Sequence, residues 1–245
     1  LANGSAVALS GWEHLTPAVL ETWLGGQAGG GAVADLLFGA QSPSGRLTET
    51  IPVSLRDTPA YGSFPGELGH VRYGEGVLVG YRYYDAKGMS VSYPFGHGLT
   101  YTSFEHSDVT ATVSGEGDEV TVTVRARITN TGTVRGAEVV QVYVGDPESV
   151  VLRPERELKG FVKMALEPGE SREVEVVLDA RDLSYWHPTL RAWTLEGGEF
   201  LVSVGASSRD LRATVSVDVT APPLAAPLSD DSTFGEWLDH PVGGE

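Results

Sequence analysis

The chain has 245 residues, enough for one large domain or two small ones. Its 33 acidic and 17 basic side chains give a net charge of −16, which repels phosphate backbones and argues against a nucleic-acid partner. The absence of cysteine excludes disulfides, thiol catalysis and cysteine-ligated zinc. No apolar run approaches the roughly 18–20 residues of a membrane span. No signal peptide is visible after Leu1, and the cellular compartment stays unknown.

The first fifty residues are rich in glycine and carry helical patches. Val7–Leu9 resembles the end of a buried strand, and Thr16-Pro17 is a usual helix start, with an apolar face from Val19 to Leu24. A second helix is predicted over about 31–38 and a strand over 46–52. This order suits the edge of an α/β layer, since about 50 residues are too few to cover both faces of a sheet.

Residues 51–102 are rich in tyrosine, glycine and proline and show weak periodicity, as in a linker. Residues 103–220 instead alternate apolar and polar side chains, most clearly from Val120 to Thr129. The alternation predicts about seven strands, with turn signals every ten or so residues. They are 120–129, 139–144, 158–162, 174–178, 191–194, 199–204 and 213–219. This pattern is typical of an Ig-like or fibronectin type III-like β-sandwich.

Two glutamates in a glycine-rich loop are the only candidates for a catalytic carboxyl pair. Glu67 and Glu75 flank His70, Arg72 and Tyr73, which are polar and aromatic groups suited to a sugar. Retaining glycosidases use two carboxyl groups about 5–5.5 Å apart. The alternative, which we favour, is a loop that wraps across two domains and pairs its charges locally, because nothing fixes these side chains on a rigid element.

Other reactive side chains also fit structural roles. The six histidines (14, 70, 97, 106, 187 and 240) form no metal-binding spacing, and we expect the His97 ring to bond to backbone within a tight turn. Ser42 and Ser44 lack the strand–helix context of a nucleophile. The glycine run 25–31 opens a helix but lacks the lysine of a phosphate-binding loop, and Asp35 lies inside that helix. We expect close backbone packing against a neighbouring layer there.

Several motifs together resemble glycoside hydrolase family 3, over nearly the whole chain and in the family's order. Trp23–Pro52 is similar to the segment that closes the α/β-sandwich domain of that family. Arg72–Asp85 resembles its linker, and Tyr93–Phe104 resembles the entry into its fibronectin type III-like domain. Further matches are two strands of that domain and the end of bacterial members, at Val139–Val144, Arg156–Phe161 and Ser232–Leu238.

The resemblance implies a mainly β fold, with a fibronectin type III/Ig-like β-sandwich preceded by a remnant of an α/β-sandwich domain. It divides the chain into the end of the α/β-sandwich domain, an interdomain linker, the β-sandwich and a C-terminal tail. These segments are 1–50, 51–102, 103–220 and 221–245.

The resemblance also implies a β-glucosidase-like, exo-acting, retaining glycosidase that needs no metal or cofactor. The family's nucleophile is an aspartate on an N-terminal barrel, and its acid/base is a glutamate upstream of the segment seen here. No stretch of this chain resembles either. We therefore expect no catalytic, substrate-binding or metal residue in this chain, and a structural, bracing role. The expected partner is the N-terminal portion of the enzyme, the substrate is a carbohydrate, and a homo-oligomer is left open.

The alternative hypothesis is a stand-alone β-sandwich that binds carbohydrate or another partner. Its candidate residues are Tyr185 and Trp186, which could form a surface aromatic site for a sugar. The competing interpretation of these two side chains is a corner packed against the sandwich core, which we favour. Against a stand-alone module is the first segment, whose half-buried helices would leave an apolar face exposed.

Overall fold

The chain folds mainly into β-strands, and the structure, a computed structural model, describes residues 1–223 and 228–239. Three short 3₁₀ helices lie at Glu13–Leu15, Leu55–Asp57 and Gly117–Glu119. In chain order the other elements are α1 Gly29–Leu37, β1 Ile51–Pro52, α2 Tyr81–Ala86, β2 Val91–Tyr93, β3 Phe104–Ser114, β4 Thr121–Asn130, β5 Gly136–Gly145, β6 Glu157–Leu166, β7 Ser171–Asp179, α3 Ala180–Leu183, β8 Tyr185–His187, β9 Ala192–Thr194, β10 Gly198–Gly205, β11 Leu211–Val219 and α4 Phe234–Asp239. None of the helices in the described part of the chain could cross a membrane.

Two antiparallel sheets form the predicted β-sandwich. One has the strand order β3-β4-β7, and the other has the order β11-β10-β5-β6. Every second side chain of β4 faces the core, so that Val122, Val124, Ala126 and Ile128 are buried. Phe200 and Leu166 from the facing sheet pack in the same cluster. The mainly β fold and the fibronectin-like sandwich are confirmed.

One strand of the sandwich was missed by the sequence pattern. The alternation along β3 is interrupted, because the register with β4 shifts between Ser107 and Thr110 and Asp108 has a positive φ of 51°. The predicted strand at 191–194 does exist as β9, but it pairs with β8 in a separate two-stranded hairpin outside both sheets.

The first fifty residues differ from the prediction in one helix and in both strands, and Val7–Leu9 is not in a strand. Residues 16–24 are not helical, and the extended chain near Thr22 pairs with Leu1 instead. The Thr16 hydroxyl bonds to the carbonyl of Ala18 rather than capping a helix. The second predicted helix is confirmed as α1, whereas the strand predicted over 46–52 is reduced to β1, which pairs with β2.

The linker helix α2 is fixed to the sandwich by one buried acid and one aromatic ring. Asp85 is nearly buried and receives the guanidinium groups of Arg156 at 3.3 Å and Arg209 at 2.8 Å. Tyr81 stacks on Phe95 with ring centroids 4.6 Å apart, and its hydroxyl accepts a hydrogen bond from a backbone N–H of β6. The linker therefore packs as part of the β-sandwich surface.

A buried glutamine of β5 joins the sandwich to the end of the linker. The Gln141 side-chain amide donates to the carbonyl oxygens of Gly96 and Ala206, and its carbonyl oxygen accepts the Tyr143 hydroxyl at 2.6 Å. Position 96 has a φ of 79°, and a Cβ there would lie 2.1 Å from the Gln141 side chain, so that only glycine fits. Gly96 in turn pairs with the backbone of Leu47.

A buried ion pair completes the junction between the first segment and the sandwich. Arg46 donates from one nitrogen to both carboxylate oxygens of Glu138 on β5, and both side chains are almost fully buried. His106 of β3 belongs to the same charged neighbourhood, which also contains Arg212 and Asp210. Burial, and then the charges of Arg212 and Arg46, lower the pKa of His106 to about 4, against a smaller opposing effect of Asp210.

Replacing Asp85 should test how firmly the linker is held. We expect Asp85→Ala to lower the free energy of unfolding by about 2–4 kcal/mol, because two guanidinium groups lose their common partner. The matched control is Glu175→Ala, which breaks the exposed Arg125–Glu175 pair and should cost less than about 1 kcal/mol. Urea unfolding followed by circular dichroism measures both. Equal losses in the two variants would contradict the role given to Asp85.

The depressed pKa of His106 predicts a sensitivity to acid. The unfolded chain takes up a proton near pH 6.5, whereas the folded chain takes it up only near pH 4, so stability should fall as the pH is lowered through this window. His106→Gln should flatten that slope, whereas the exposed His14→Gln should leave it unchanged. Unfolding midpoints between pH 7 and pH 4 test this, and identical slopes in both variants would contradict it.

Candidate functional site

A cavity lies between the first segment and the linker. It has a volume of about 840 Å³ and is lined mainly by apolar groups of residues 6–8, 48–59 and 79–84, with Phe95. Its polar lining includes Glu49, Thr50 and Arg82. The Thr50 hydroxyl and the Arg82 Nε are buried and have no hydrogen-bond partner among the described residues. A buried polar group without a hydrogen-bond partner lowers the stability of the fold. The part of the cavity lining that contains Thr50 and Arg82 is therefore suited to contact further polar atoms.

The cavity does not hold the carboxyl pair of a retaining glycosidase. Glu49 is the only carboxylate in its lining, and it accepts a hydrogen bond from the backbone N–H of Ala6 at 3.1 Å. Burial, followed by the nearby charges of Asp57 and Tyr83, raises the pKa of the Tyr84 phenol, so this group stays protonated. A double displacement needs two carboxyl groups about 5–5.5 Å apart. The cavity alone therefore cannot perform this reaction.

The two glutamates considered for catalysis lie in a surface loop. Glu67 is exposed, and its backbone pairs with that of His70 in an isolated bridge, while Glu75 is half-buried farther along. Neither glutamate, nor Arg72, forms an ion pair with another described residue, so local charge pairing does not explain the loop. The neighbouring Leu68 is 99% exposed. No hydrogen bond or ion pair with the described residues fixes either carboxylate in place.

The histidines do not gather into a metal site. Among residues 1–223 and 228–239, no group of three or more histidines and acids could hold a metal ion. The His97 ring stacks on Tyr93 with centroids 5.3 Å apart, and it is the peptide groups of this turn that bond to backbone. Burial, and then the charge of Arg46, lower the pKa of His97. His240 lies outside the described residues.

The glycine run and the nearby serines have open surroundings. A Cβ added at Gly26, Gly29, Gly30 or Gly31 would meet no atom within 4 Å, so the neighbouring layer expected against these glycines is not supplied by the described residues. Asp35 lies inside α1 as predicted. Ser42 accepts a hydrogen bond from the backbone N–H of Tyr101 and serves as a turn residue.

Burial raises the pKa of two acids in the sandwich, but each acid faces an arginine. The raised pKa of Glu138 is opposed by Arg46, and that of Asp146 by Arg153, which also donates to the carbonyl of Leu183. Glu157 contacts Arg82, Arg153 and Lys159, and burial lowers the pKa of this lysine. These contacts satisfy the buried charges and fix the strands that carry them.

The aromatic pair considered for sugar binding is split between two environments. Tyr185 is half-buried, and burial, with the nearby Glu196 as the next cause, raises the pKa of its phenol to about 12. Trp186 points the other way and is 49% exposed, so it does not pack in the sandwich core. Its neighbour across the hairpin is Trp193, which the sequence analysis did not single out. The signal that could have identified Trp193 in the sequence is its position opposite Trp186 across a short hairpin.

Large apolar side chains are exposed throughout the first eighty residues. Helix α1 has no buried residue, and Leu37 and Phe38 at its end are 64% and 89% exposed. Others exposed by more than two thirds of their surface are Leu15, Leu24, Leu55, Phe64, Leu68 and Tyr73. We call this set, with Leu37 and Phe38, the apolar surface. Single exposed apolar groups are ordinary, but a set of this size is suited to contact with another apolar surface.

Comparison with known proteins identifies both parts of the chain. Residues 1–101 match the model of the glycosyl hydrolase family 3 C-terminal domain, and residues 138–208 match the fibronectin type III-like domain. An exo-α-(1→6)-L-arabinopyranosidase from Bifidobacterium breve is 46% identical over the whole chain, which covers 32% of that protein. The thermostable β-glucosidase B of Acetivibrio thermocellus is 48% identical over 90% of the chain, which covers 29% of that protein.

Solved structures agree with this assignment. The crystal structure of a Bifidobacterium adolescentis GH3 β-glucosidase superposes with a TM-score of 0.92 at 48% identity, over 99% of this chain and 36% of that one. The chain thus spans about a third of the length of the relatives it matches. By these domains and relatives, the chain belongs to glycoside hydrolase family 3 and corresponds to the C-terminal portion of its enzymes.

Proposed function

We propose that the chain is the C-terminal, bracing portion of a β-glucosidase-like, exo-acting, retaining glycoside hydrolase. The observation that carries the proposal is the apolar surface of the first eighty residues, in the part that matches the family 3 C-terminal domain. This surface packs against the N-terminal portion of the enzyme, which consists of the barrel and the rest of the α/β-sandwich domain. The catalytic nucleophile and the acid/base belong to that portion.

The state of helix α1 supports this partner. Its Leu37 and Phe38 are exposed, and its glycines have open space where a Cβ would project. A nine-residue helix without tertiary packing is marginal in water. The cavity beside Thr50 and Arg82 adds unpaired buried polar atoms on the same half of the chain. A second layer of the α/β-sandwich would satisfy all three features at once.

The β-sandwich provides the rigid part of the brace. Its core is closed on both sheets, and the linker is clamped to it at Asp85 and Tyr81. We propose that the chain has four parts. Residues 1–50 are the end of the α/β-sandwich domain, and residues 51–102 are the linker. Residues 103–220 are the fibronectin type III-like domain, and residues 221–245 are the tail. The linker and sandwich then set where the first segment meets its partner.

The reaction of the complete enzyme is a double displacement on a carbohydrate, with no metal. One carboxylate attacks the sugar and the other protonates the departing oxygen, then activates water. The buried acids of this chain are engaged by arginines, and its exposed loop glutamates are not paired, which supports a catalytic centre outside these residues. The chain contributes the position of the partner domains and no group that touches the reacting atoms.

The isolated 245-residue chain should show no glycosidase activity. We expect p-nitrophenol release from p-nitrophenyl β-glucoside at the rate of buffer alone, because no carboxyl pair is held in place. The double variant of Glu67→Gln and Glu75→Gln is the control. If the unaltered chain releases p-nitrophenol and the double variant does not, the bracing role is contradicted and catalysis belongs to the loop.

Polar substitutions on the apolar surface should change association and leave the fold intact. Phe38→Ser in the isolated chain should reduce self-association and the binding of a hydrophobic dye, while the melting temperature moves by less than about 2 °C. The control is Phe161→Ser, at a side chain of β6 that is 65% exposed outside the apolar surface, where we expect a smaller change. Light scattering and dye fluorescence measure both.

A variant in the sandwich core shows how large a loss of stability would contradict this prediction. Leu166→Ala removes a fully buried side chain and should cost about 2–5 kcal/mol. If Phe38→Ser destabilises the isolated chain as much as Leu166→Ala does, Phe38 packs within this chain, and the apolar surface is not an interface.

A further inference from the structure

The β8–β9 hairpin presents two tryptophans on one face. Trp186 and Trp193 are directly opposite in the antiparallel register, and their ring centroids lie 5.6 Å apart in an edge-to-face arrangement. They are 49% and 45% exposed, although tryptophan usually contributes to a core. The hairpin belongs to neither large sheet, so these rings are not needed to close the sandwich. The pair is an aromatic surface open to solvent.

An arginine without a charged partner lies against one of these rings. The Arg181 guanidinium carbon is 3.1 Å from the centre of the Trp193 ring. Its side chain forms no ion pair or hydrogen bond with another described residue, in a chain where acids outnumber bases by about two to one. A guanidinium carries five N–H donors, and stacking occupies its face and leaves its edge free. The site therefore combines an apolar ring face with unused hydrogen-bond donors.

The exposed area of the two tryptophans favours a small ring-shaped ligand over a protein partner. A tryptophan can bury about 250 Å², so two half-exposed rings offer roughly 250 Å² together. A stable protein interface needs about 800 Å² on each side. A single six-membered sugar ring, by contrast, is about as large as one indole. The area fits one or two sugar units.

We propose that Trp186, Trp193 and Arg181 form a carbohydrate-binding site for a pyranose unit of a neutral polysaccharide. The C–H face of the sugar stacks on the electron-rich face of Trp186. Its hydroxyl oxygens accept hydrogen bonds from Arg181. A neutral ligand is not repelled by the net charge of −16. Because the rings are held by each other and by Arg181, little side-chain entropy is lost on binding.

The site is separate from the proposed bracing function. It uses no residue of the apolar surface and none of the cavity between the first segment and the linker. It would hold the enzyme near a polysaccharide and would not alter the chemistry. Binding can therefore be measured on this chain without any glycosidase activity, and its failure would leave the bracing role untouched.

Affinity electrophoresis of the full 245-residue chain tests the site. Native gels containing barley β-glucan, xyloglucan or dextran should retard the unaltered chain with at least one of these polymers. Trp186→Ala should weaken the retardation about tenfold or more, whereas Trp186→Phe should retain part of it, since phenylalanine keeps an aromatic face. The matched control is Trp237→Ala, at a tryptophan of α4 that is 47% exposed.

Two results would overturn the proposal. One is the absence of retardation of the unaltered chain by all three polysaccharides. The other is an equal loss in Trp186→Ala and Trp237→Ala, which would mean that exposed tryptophans bind without regard to place. Thermal melting of each variant accompanies the gels. If Trp186→Ala does not fold, Trp186→Phe is compared with Trp237→Phe under the same criterion.

Discussion

The buried Gln141 side chain is a central contact between the two halves of the chain, and the Arg46–Glu138 pair lies beside it. Gln141 binds the carbonyl of Gly96 on one side and that of Ala206 on the other, and its own oxygen is held by Tyr143. Gly96 then pairs with Leu47, next to the Arg46 that reaches Glu138. The sandwich thus orients the linker, and the linker orients the first segment. Because these contacts are buried or partly buried, an error at one step would leave polar atoms unpaired at the next.

The two halves differ in how far they bury their apolar side chains and pair their charged ones. The sandwich closes its core with both sheets and neutralises its buried acids with arginines. The first segment has one buried apolar residue, Leu9, and exposes many of its large apolar groups, including Leu37 and Phe38. Removing apolar surface from water is the main driving force of folding, so this half gains stability chiefly from what it packs against. The asymmetry is what the bracing role requires.

The sequence predicted elements best where local pattern and tertiary packing agree. Strand β4 alternates without interruption, and its boundaries were close to those observed. Strand β3 was missed because the bulge at Asp108 breaks its period, and the helix over 16–24 was wrong because extended pairing of Thr22 with Leu1 prevails over a favourable start signal. The open space around the glycines at the start of α1 could not be predicted, since it depends on atoms distant in sequence.

The same reasoning separates the acids of this chain from the acids of a catalytic centre. A retaining pair must keep one carboxyl ionised and the other protonated, which requires two neighbouring groups in unequal surroundings. Here the Glu138 and Asp146 carboxylates are buried and each is bound by an arginine. Burial, with the nearby charge of Glu196 adding to it, raises the pKa of Asp146, and Arg153 opposes both effects. A catalytic role for either acid would break its contact with a buried guanidinium group. The arginines thus hold both buried acids in structural contacts within the sandwich.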